Sequence, residues 1–370
     1  MKEKKAGRVF ILIIFVLTIC LSELIWLCIG DRFDSSNSEK RQLASRPRLA
    51  LENYDSFAAD YTAYFNDHMP FRNKLISVKS EIDYYCFDKS SNGKVIIGTD
   101  GWLFYDSKSD GNPIGCYKGK ELYSEEELEA IMLNCIEQRN FAESLGKEFV
   151  IFIAPNKERI YYEHMPKRYG EPAEEYRVRQ IYEYIKANSD LRIVYPYDEL
   201  MEAKTRLSKT IYFKTDTHWN AIGAYVGASI LLSELGIQMP DLYSGDIEIH
   251  QGKENIRDLA GMLQLGSHKT LSEYEYVLSG YNTHAAELLE FDYRNLIRYR
   301  SSESDSRRIY VIKDSFSDAM APYIGSQFSE AYLKFVDKYS YEEMIAVNPD
   351  IIVYETVERY ADRLGTFSIR

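Results

Sequence analysis

Residues 147–155, KEFVIFIAP, decide how the rest of the chain is read. From Phe149 to Ala154 the run is unbroken and apolar, with no polar alternation, and it stops at Pro155. A strand of that kind belongs in a sheet covered on both faces, as parallel sheets are. The flanking segments supply the cover. Before it, SEEELEAIMLNCIEQRNFAESLG (124–146) predicts a helix with Ser124 as cap and three acids in its first turn. After it, EEYRVRQIYEYIKANS (174–189) predicts another helix, and RIVYP (192–196) a short strand.

The same rhythm continues. TIYFKTDTHW (210–219) predicts a short strand, and NAIGAYVGASILLSELG (220–236) a helix closed by Gly236. RRIYVIKDSF, AYLKFV and DIIVYET, all within 307–356, predict three more strands. Strands alternating with helices indicate an α/β fold, a parallel sheet flanked by helices. Upstream, residues 50–88 carry helical periodicity, and GKVIIGTDGWLFY (93–105) predicts two strands around an Asp-Gly turn. Residues 237–300 fit the rhythm poorly and read as an insertion.

The amino terminus differs from the body. MKEKKAGR is basic and is followed by VFILIIFVLTICLSELIWLCIG (9–30), which only Glu23 interrupts. Its 22 residues suffice at helical rise for a hydrocarbon core of roughly 30 Å. Basic residues before it and Asp31 after it predict a single-pass anchor in the cell membrane with the N-terminus cytoplasmic. A cleaved signal peptide is the competing reading, but the stretch is long and has no small-x-small exit site. The expected layout is therefore a cytoplasmic stub and transmembrane anchor over 1–30, a polar juxtamembrane linker over 31–48, and an extracytoplasmic domain over 49–370. A net charge of −12 argues against nucleic acid, which requires a basic face. Cys86, Cys116 and Cys135 lie outside the apolar stretch, an odd number without a CxxC pair, so neither a disulfide framework nor a metal site is expected.

In open α/β sheets, ligands gather at the carboxyl ends of the strands. Three predicted strand ends carry reactive side chains: APNKER, KTDTHW and VIKDSFSD. Ser315 on a tight strand-to-helix turn would expose its hydroxyl, with helix amides behind it. Asp216, two residues before His218, can hold an imidazole in one tautomer. Each segment alone reads equally well as a helix cap. Together they supply an acid, a base and a nucleophile, the set that acyl transfer requires.

These residues carry a resemblance. DTHWN followed about a hundred residues later by KDSFSD, with GTDGWLFY, PNKERIYYEHMP and EKRQLASRP, resembles the alginate O-acetyltransferase (AlgX/AlgJ-like) SGNH-hydrolase-like family, and its DHHW branch above all. The resemblance implies an SGNH-like domain with Asp216 orienting, His218 as general base and Ser315 as nucleophile. It implies a membrane-anchored O-acetyltransferase acting on a cell-surface or secreted polysaccharide, without a cofactor, supplied with acetyl groups by a membrane-bound O-acyltransferase. An acetyl-esterase with the same triad, or a non-catalytic polysaccharide-binding or assembly subunit, is the alternative. Lys313 stands where the family has Gly and is expected beside the nucleophile or turned elsewhere. Thr217 stands where the DHHW name has His, at a position expected to matter little.

Four further residues are weaker substrate-binding candidates: Lys157 and Arg159 for an anionic polymer or acyl donor, Trp219 as a wall of the site, and Lys313. Solvated loop charges and a buried indole are the competing readings. Trp102 and Tyr105 fit a core hairpin better than a sugar platform. Glu355 and Arg359 are expected to pair one helical turn apart. The 31 tyrosines suit a carbohydrate-facing surface or a tyrosine-rich lineage.

Overall fold

A computed structural model of the protein describes residues 9–17, 43–69, 72–265, 271–281, 285–302 and 305–370. They group into two compact units, residues up to 91 with 262–265, and residues 92–261 with 266–370. The first unit contains helices α1 (Tyr54–His68) and α2 (Arg72–Phe87), where helical periodicity predicted them. Residues 9–17 are helical with exposed apolar side chains, and the remainder of the expected anchor, 18–30, lies outside the described residues, as does the linker to residue 42. Among the described residues no helix is long and apolar enough to cross a membrane.

The second unit opens on the hairpin β1 (Val95–Ile97) and β2 (Leu103–Tyr105). Asp100 and Gly101 at its tip have φ of 53° and 79°, the left-handed pair that a two-residue hairpin turn requires. Both Trp102 and Tyr105 are buried, so this hairpin contributes its aromatics to the core.

The main sheet has seven strands, β3 (Glu148–Ala154), β4 (Ile193–Val194), β7 (Ala286–Phe291), β8 (Leu296–Ser301), β9 (Asp305–Lys313), β10 (Phe328–Phe335) and β11 (Ile351–Val357), in the order β4-β3-β11-β9-β10-β8-β7. From β4 to β10 all neighbours are parallel. At β10 the pattern changes, because β8 and β7 form a hairpin that adds antiparallel to the free edge. The sheet is therefore mixed, not wholly parallel as expected. A short turn can join only antiparallel strands, and this hairpin comes from the stretch that had looked irregular. Residues 237–300 also contain a separate antiparallel ribbon, β5 (Glu248–Ile256) with β6 (Ser272–Ser279).

Side chains alternate cleanly across the central strands. Val150, Phe152, Val311 and Val353 enter one core, and Phe149, Ile151, Tyr310, Ile352 and Tyr354 enter the other. Helices α3 (Glu125–Ser144) and α4 (Arg177–Asn188) cover the second face. The other face is covered by α5 (Tyr197–Arg206), α6 (Ala221–Glu234) and α7 (Ser317–Gly325). In α3 the predicted cap is present. Ser124 Oγ accepts from the Glu127 amide and Glu127 returns the bond to the Ser124 amide, a capping box.

Candidate active site

Ser315 sits in the turn between β9 and α7, at the carboxyl edge of the sheet, and that turn is fixed on both sides of it. Asp314 is buried; its Oδ1 accepts from the Phe316 amide at 2.8 Å and its Oδ2 from the Val357 amide at 2.7 Å. Beneath it, Glu355 of β11 accepts from the Asp314 amide and from Ser317 Oγ, both at 2.8 Å. On the other side Trp219 Nε1 donates to the Phe316 carbonyl at 2.9 Å, and the two rings meet edge to face. The amide of Ser315 itself has no acceptor among the described residues. Ser315 is partly exposed.

Across from that turn, residues 211–219 form a loop and not the expected strand; only the bridge Tyr212–Trp219 closes it. Within the loop, the Asp216 carboxylate accepts from the His218 amide at 3.0 Å and from His218 Nδ1 at 2.7 Å. His218 Nε2 lies 2.8 Å from Ser315 Oγ. Asp216, His218 and Ser315 are thus brought together in the order acid, imidazole, hydroxyl. Burial alone would raise the Asp216 carboxyl, but the hydrogen bond from His218 outweighs it and holds the group well below the usual carboxylate range. Burial likewise opposes charge on His218, yet the bond to Asp216 leaves its proton affinity raised.

Three groups from distant parts of the chain hold this loop. Lys157, in the turn after β3, is buried and sends Nζ to the carbonyls of Phe213, Lys214 and Asp216 at 3.2, 3.1 and 2.5 Å. Glu273 of β6 accepts from the Lys214 and Thr215 amides at 2.8 and 2.6 Å. Asp258, which starts a short helix after β5, accepts from the Thr217 amide at 3.0 Å and Thr217 Oγ1 at 2.8 Å. Thr217, a position expected to matter little, thus takes part in holding the loop, and its Oγ1 lies 3.2 Å from His218 Nδ1. Asp258 also lies within 4.8 Å of the Asp216 and His218 ligand atoms. Both ring nitrogens of His218 already face other partners, so the set suits charge relay better than metal ligation.

A family model described as "SGNH hydrolase-like domain, acetyltransferase AlgX" matches residues 95–342. The chain belongs to this AlgX family. Among curated relatives, the probable alginate O-acetylase AlgJ of Pseudomonas syringae pv. tomato is 26% identical over 179 residues, which is 48% of this chain and 42% of that protein. AlgJ of Pseudomonas aeruginosa is 26% identical over 178 residues, 47% of this chain and 41% of its own length. The chain thus spans less than half the length of these relatives. Two solved structures share the fold. A DHHW family protein from Eubacterium siraeum has a TM-score of 0.51 at 15% identity, covering 74% of this chain and 98% of that one. Bacillus cereus PatB1 with a sulfonyl adduct has a TM-score of 0.50 at 14% identity, covering 74% and 99%.

In this AlgX-family chain the weaker binding candidates turn inward. Lys157 is engaged as described, with no atom offered to a ligand. Arg159 is also buried; it donates to the Ala173 and Cys116 carbonyls at 2.8 and 3.1 Å and lies 3.6 Å from Glu358. Trp219 is 1% exposed, so it braces the turn that carries Ser315 and does not wall a cleft. Lys313 is fully buried; its Nζ lies 2.6 Å from the Asp318 carboxylate and donates to the Tyr293 and Asp314 carbonyls at 3.1 and 3.4 Å. Sequence patterns give the charge of these residues but not the direction of their side chains.

The expected Glu355–Arg359 pair does not form. Glu355 is on a strand, where spacing of four does not bring side chains together as it does on a helix. Burial and the neighbouring Asp314 push its carboxyl well above the usual range, and its Oε1 has no partner. The Arg359 guanidinium lies over the Phe316 ring at 5.6 Å, with Nε unpartnered. Asp258, Glu273 and the role of Glu355 were not foreseen. Only long-range packing brings them to the site.

Proposed function

We propose that the protein is a serine O-acetyltransferase that acetylates hydroxyls of a cell-surface or secreted polysaccharide. The observation that carries this reading is the chain of contacts from Asp216 through His218 to Ser315 Oγ, 2.7 and then 2.8 Å, beside a Ser315 amide that has no acceptor among the described residues. In the first half-reaction Ser315 Oγ attacks the donor's acetyl carbonyl and its proton passes to His218 Nε2. Asp216 fixes the imidazole tautomer and stabilises the imidazolium. Negative charge on the carbonyl oxygen develops toward the Ser315 amide, with the Arg359 guanidinium 5.6 Å from the Phe316 ring of the same turn. His218 then returns the proton to the leaving group, and acetyl-Ser315 remains. In the second half-reaction a sugar hydroxyl attacks the ester, gives its proton to His218, and Ser315 departs with that proton.

The AlgX-family membership and the relatives named as probable alginate O-acetylases support polysaccharide acetylation. The apolar stretch 9–30, helical in its described part, supports an outward-facing body held at the cell membrane. There, an acetyl donor would have to arrive through a membrane-bound O-acyltransferase, and tethering beside it raises effective concentration. An esterase would share the first half-reaction and differ only in admitting water.

Intact mass spectrometry after brief incubation with an activated acetyl ester tests the reading. Wild type should gain one acetyl group, and Ser315→Ala none. Adding oligosaccharides should move the acetyl group to sugar in place of releasing acetate. Equal labelling of both proteins would remove Ser315 from the mechanism.

A further inference from the structure

A cavity opens at the carboxyl end of β4, on the edge of the sheet that also carries Ser315. Its volume is about 360 Å³, enough for one or two sugar rings, and Tyr182, Tyr195 and Tyr197 are in its lining. The Tyr195 and Tyr197 rings are stacked at 12° with centroids 6.0 Å apart, and Tyr182 meets Tyr195 at 6.0 Å. Tyr195 Oη donates to Glu358 at 3.0 Å, and the same Glu358 oxygen accepts from the Asn156 amide at 2.9 Å. The cavity floor is thus tied to the ends of β3 and β11, and β11 lies beside the strand that ends at Ser315. From β4 to β9 there are three strand spacings, roughly 14 Å. A polymer acetylated at Ser315 can reach this cavity with a residue a few sugars away.

The charge around the cavity indicates which sugar. Glu199 is half-buried, makes no side-chain hydrogen bond or ion pair with another of the described residues, and has its carboxyl pushed up by burial. Asp198 and Glu174 are exposed at the rim, and their side chains pair with none of the described residues. The two arginines of the lining are already engaged, Arg179 with Glu183 at 2.7 Å and Arg159 with Glu358. The surplus is acidic. Tyrosine rings can cover the C–H face of a pyranose, and free carboxylates accept from its hydroxyl or ammonium groups, whereas a uronic acid would meet like charge.

We infer that this tyrosine-lined cavity is an acceptor subsite for a non-acidic pyranose, neutral or amine-bearing, of the polysaccharide. The inference rests on the acetyltransferase reading for its purpose, but the binding is measured separately. Full-length protein would be titrated with cellohexaose, a chitosan hexamer and a mannuronate hexamer, observing saturation transfer from protein to sugar. The first two should bind and the third should not. Tyr197→Ala and Glu199→Gln should each weaken binding, and raise KM for the bound hexamer as acceptor, about 3- to 10-fold. Turnover of a small acetyl ester should stay at the wild-type rate, which also shows that the variants fold. Binding unchanged in both variants, or strongest for the mannuronate hexamer, would overturn the subsite. If instead the hexamers bind as expected but no variant alters acetyl transfer because wild type transfers none, the acetyltransferase reading fails and the sugar site stands.

Discussion

His218 binds its proton more tightly in the fold than in a free chain, while Asp216 holds its own less tightly, and both follow from the 2.7 Å bond between them. A general base must be neutral to accept the serine proton. The acid limb of the acylation rate should therefore lie above pH 6.5, the ordinary histidine value. Asp216→Asn should lower the rate about 10³- to 10⁴-fold and move that limb to lower pH; stopped-flow acylation across pH 5–9 reads both. A limb that stays in place in the variant would mean that another group sets it. The stability contributions have opposite signs. Asp216 stabilises the fold above the ordinary carboxylate range and loses that contribution as pH falls. His218 stabilises it below about 6.5 and loses that contribution as pH rises through its raised value. At this scale the sequence was most legible where chemistry constrains the residue type. Asp216, His218 and Ser315 are adjacent in space as their types suggested. Lys157, Arg159 and Lys313 were misread because a cation that satisfies buried carbonyls or a buried carboxylate has the same letter as one in solvent.

The strand–turn–helix from β9 to α7 depends on a neighbouring strand for its shape. Glu355 of β11, 1% exposed, accepts from the Asp314 amide and Ser317 Oγ, the two positions that flank the Ser315–Phe316 step. Burial, with Asp314 beside it, pushes the Glu355 carboxyl well above the usual carboxylate range and so favours its neutral form. A side-chain amide reproduces that charge and still accepts, so Glu355→Gln should keep acylation within about 3-fold of wild type. Glu355→Ala leaves a buried amide and hydroxyl without an acceptor, each costing about 1–3 kcal/mol. Urea unfolding should register that loss, with acylation slowed in parallel. A glutamine variant as impaired as the alanine one would show that Glu355 acts as an anion. Among elements, continuous apolar runs identified β3, β9 and β11, since burial on both faces requires such runs. The hairpin β7–β8 escaped notice because β7 is an edge strand with most of its side chains exposed. Residues 211–219 carry strand-forming types but bond to distant acids and to Lys157 in place of a sheet partner.

In the whole molecule, the loop that carries Asp216 and His218 is where segments far apart in sequence meet: Lys157 from the turn after the first long strand, Asp258 and Glu273 from the stretch between 237 and 300 that looked irregular. No local pattern reveals such a junction, because each of the three side chains is ordinary in its own segment. Lys157 gives the junction a pH signature. Burial brings its ammonium down to about 8, from about 10.4 in an unfolded chain. Between those values the unfolded chain holds more protons than the folded one, so this group makes stability rise with pH. Over the same interval the folded ammonium loses a proton and one of the three carbonyls of the loop loses its donor. Acylation should therefore decline above pH 8 while the stability contributed by Lys157 increases. Lys157→Met should acylate more slowly at pH 7 yet lack the alkaline decline, and the wild-type-minus-variant unfolding free energy should grow from pH 8 to pH 10. Rate and stability falling together over that interval, in both proteins alike, would assign the decline to general alkaline unfolding and remove Lys157 from it.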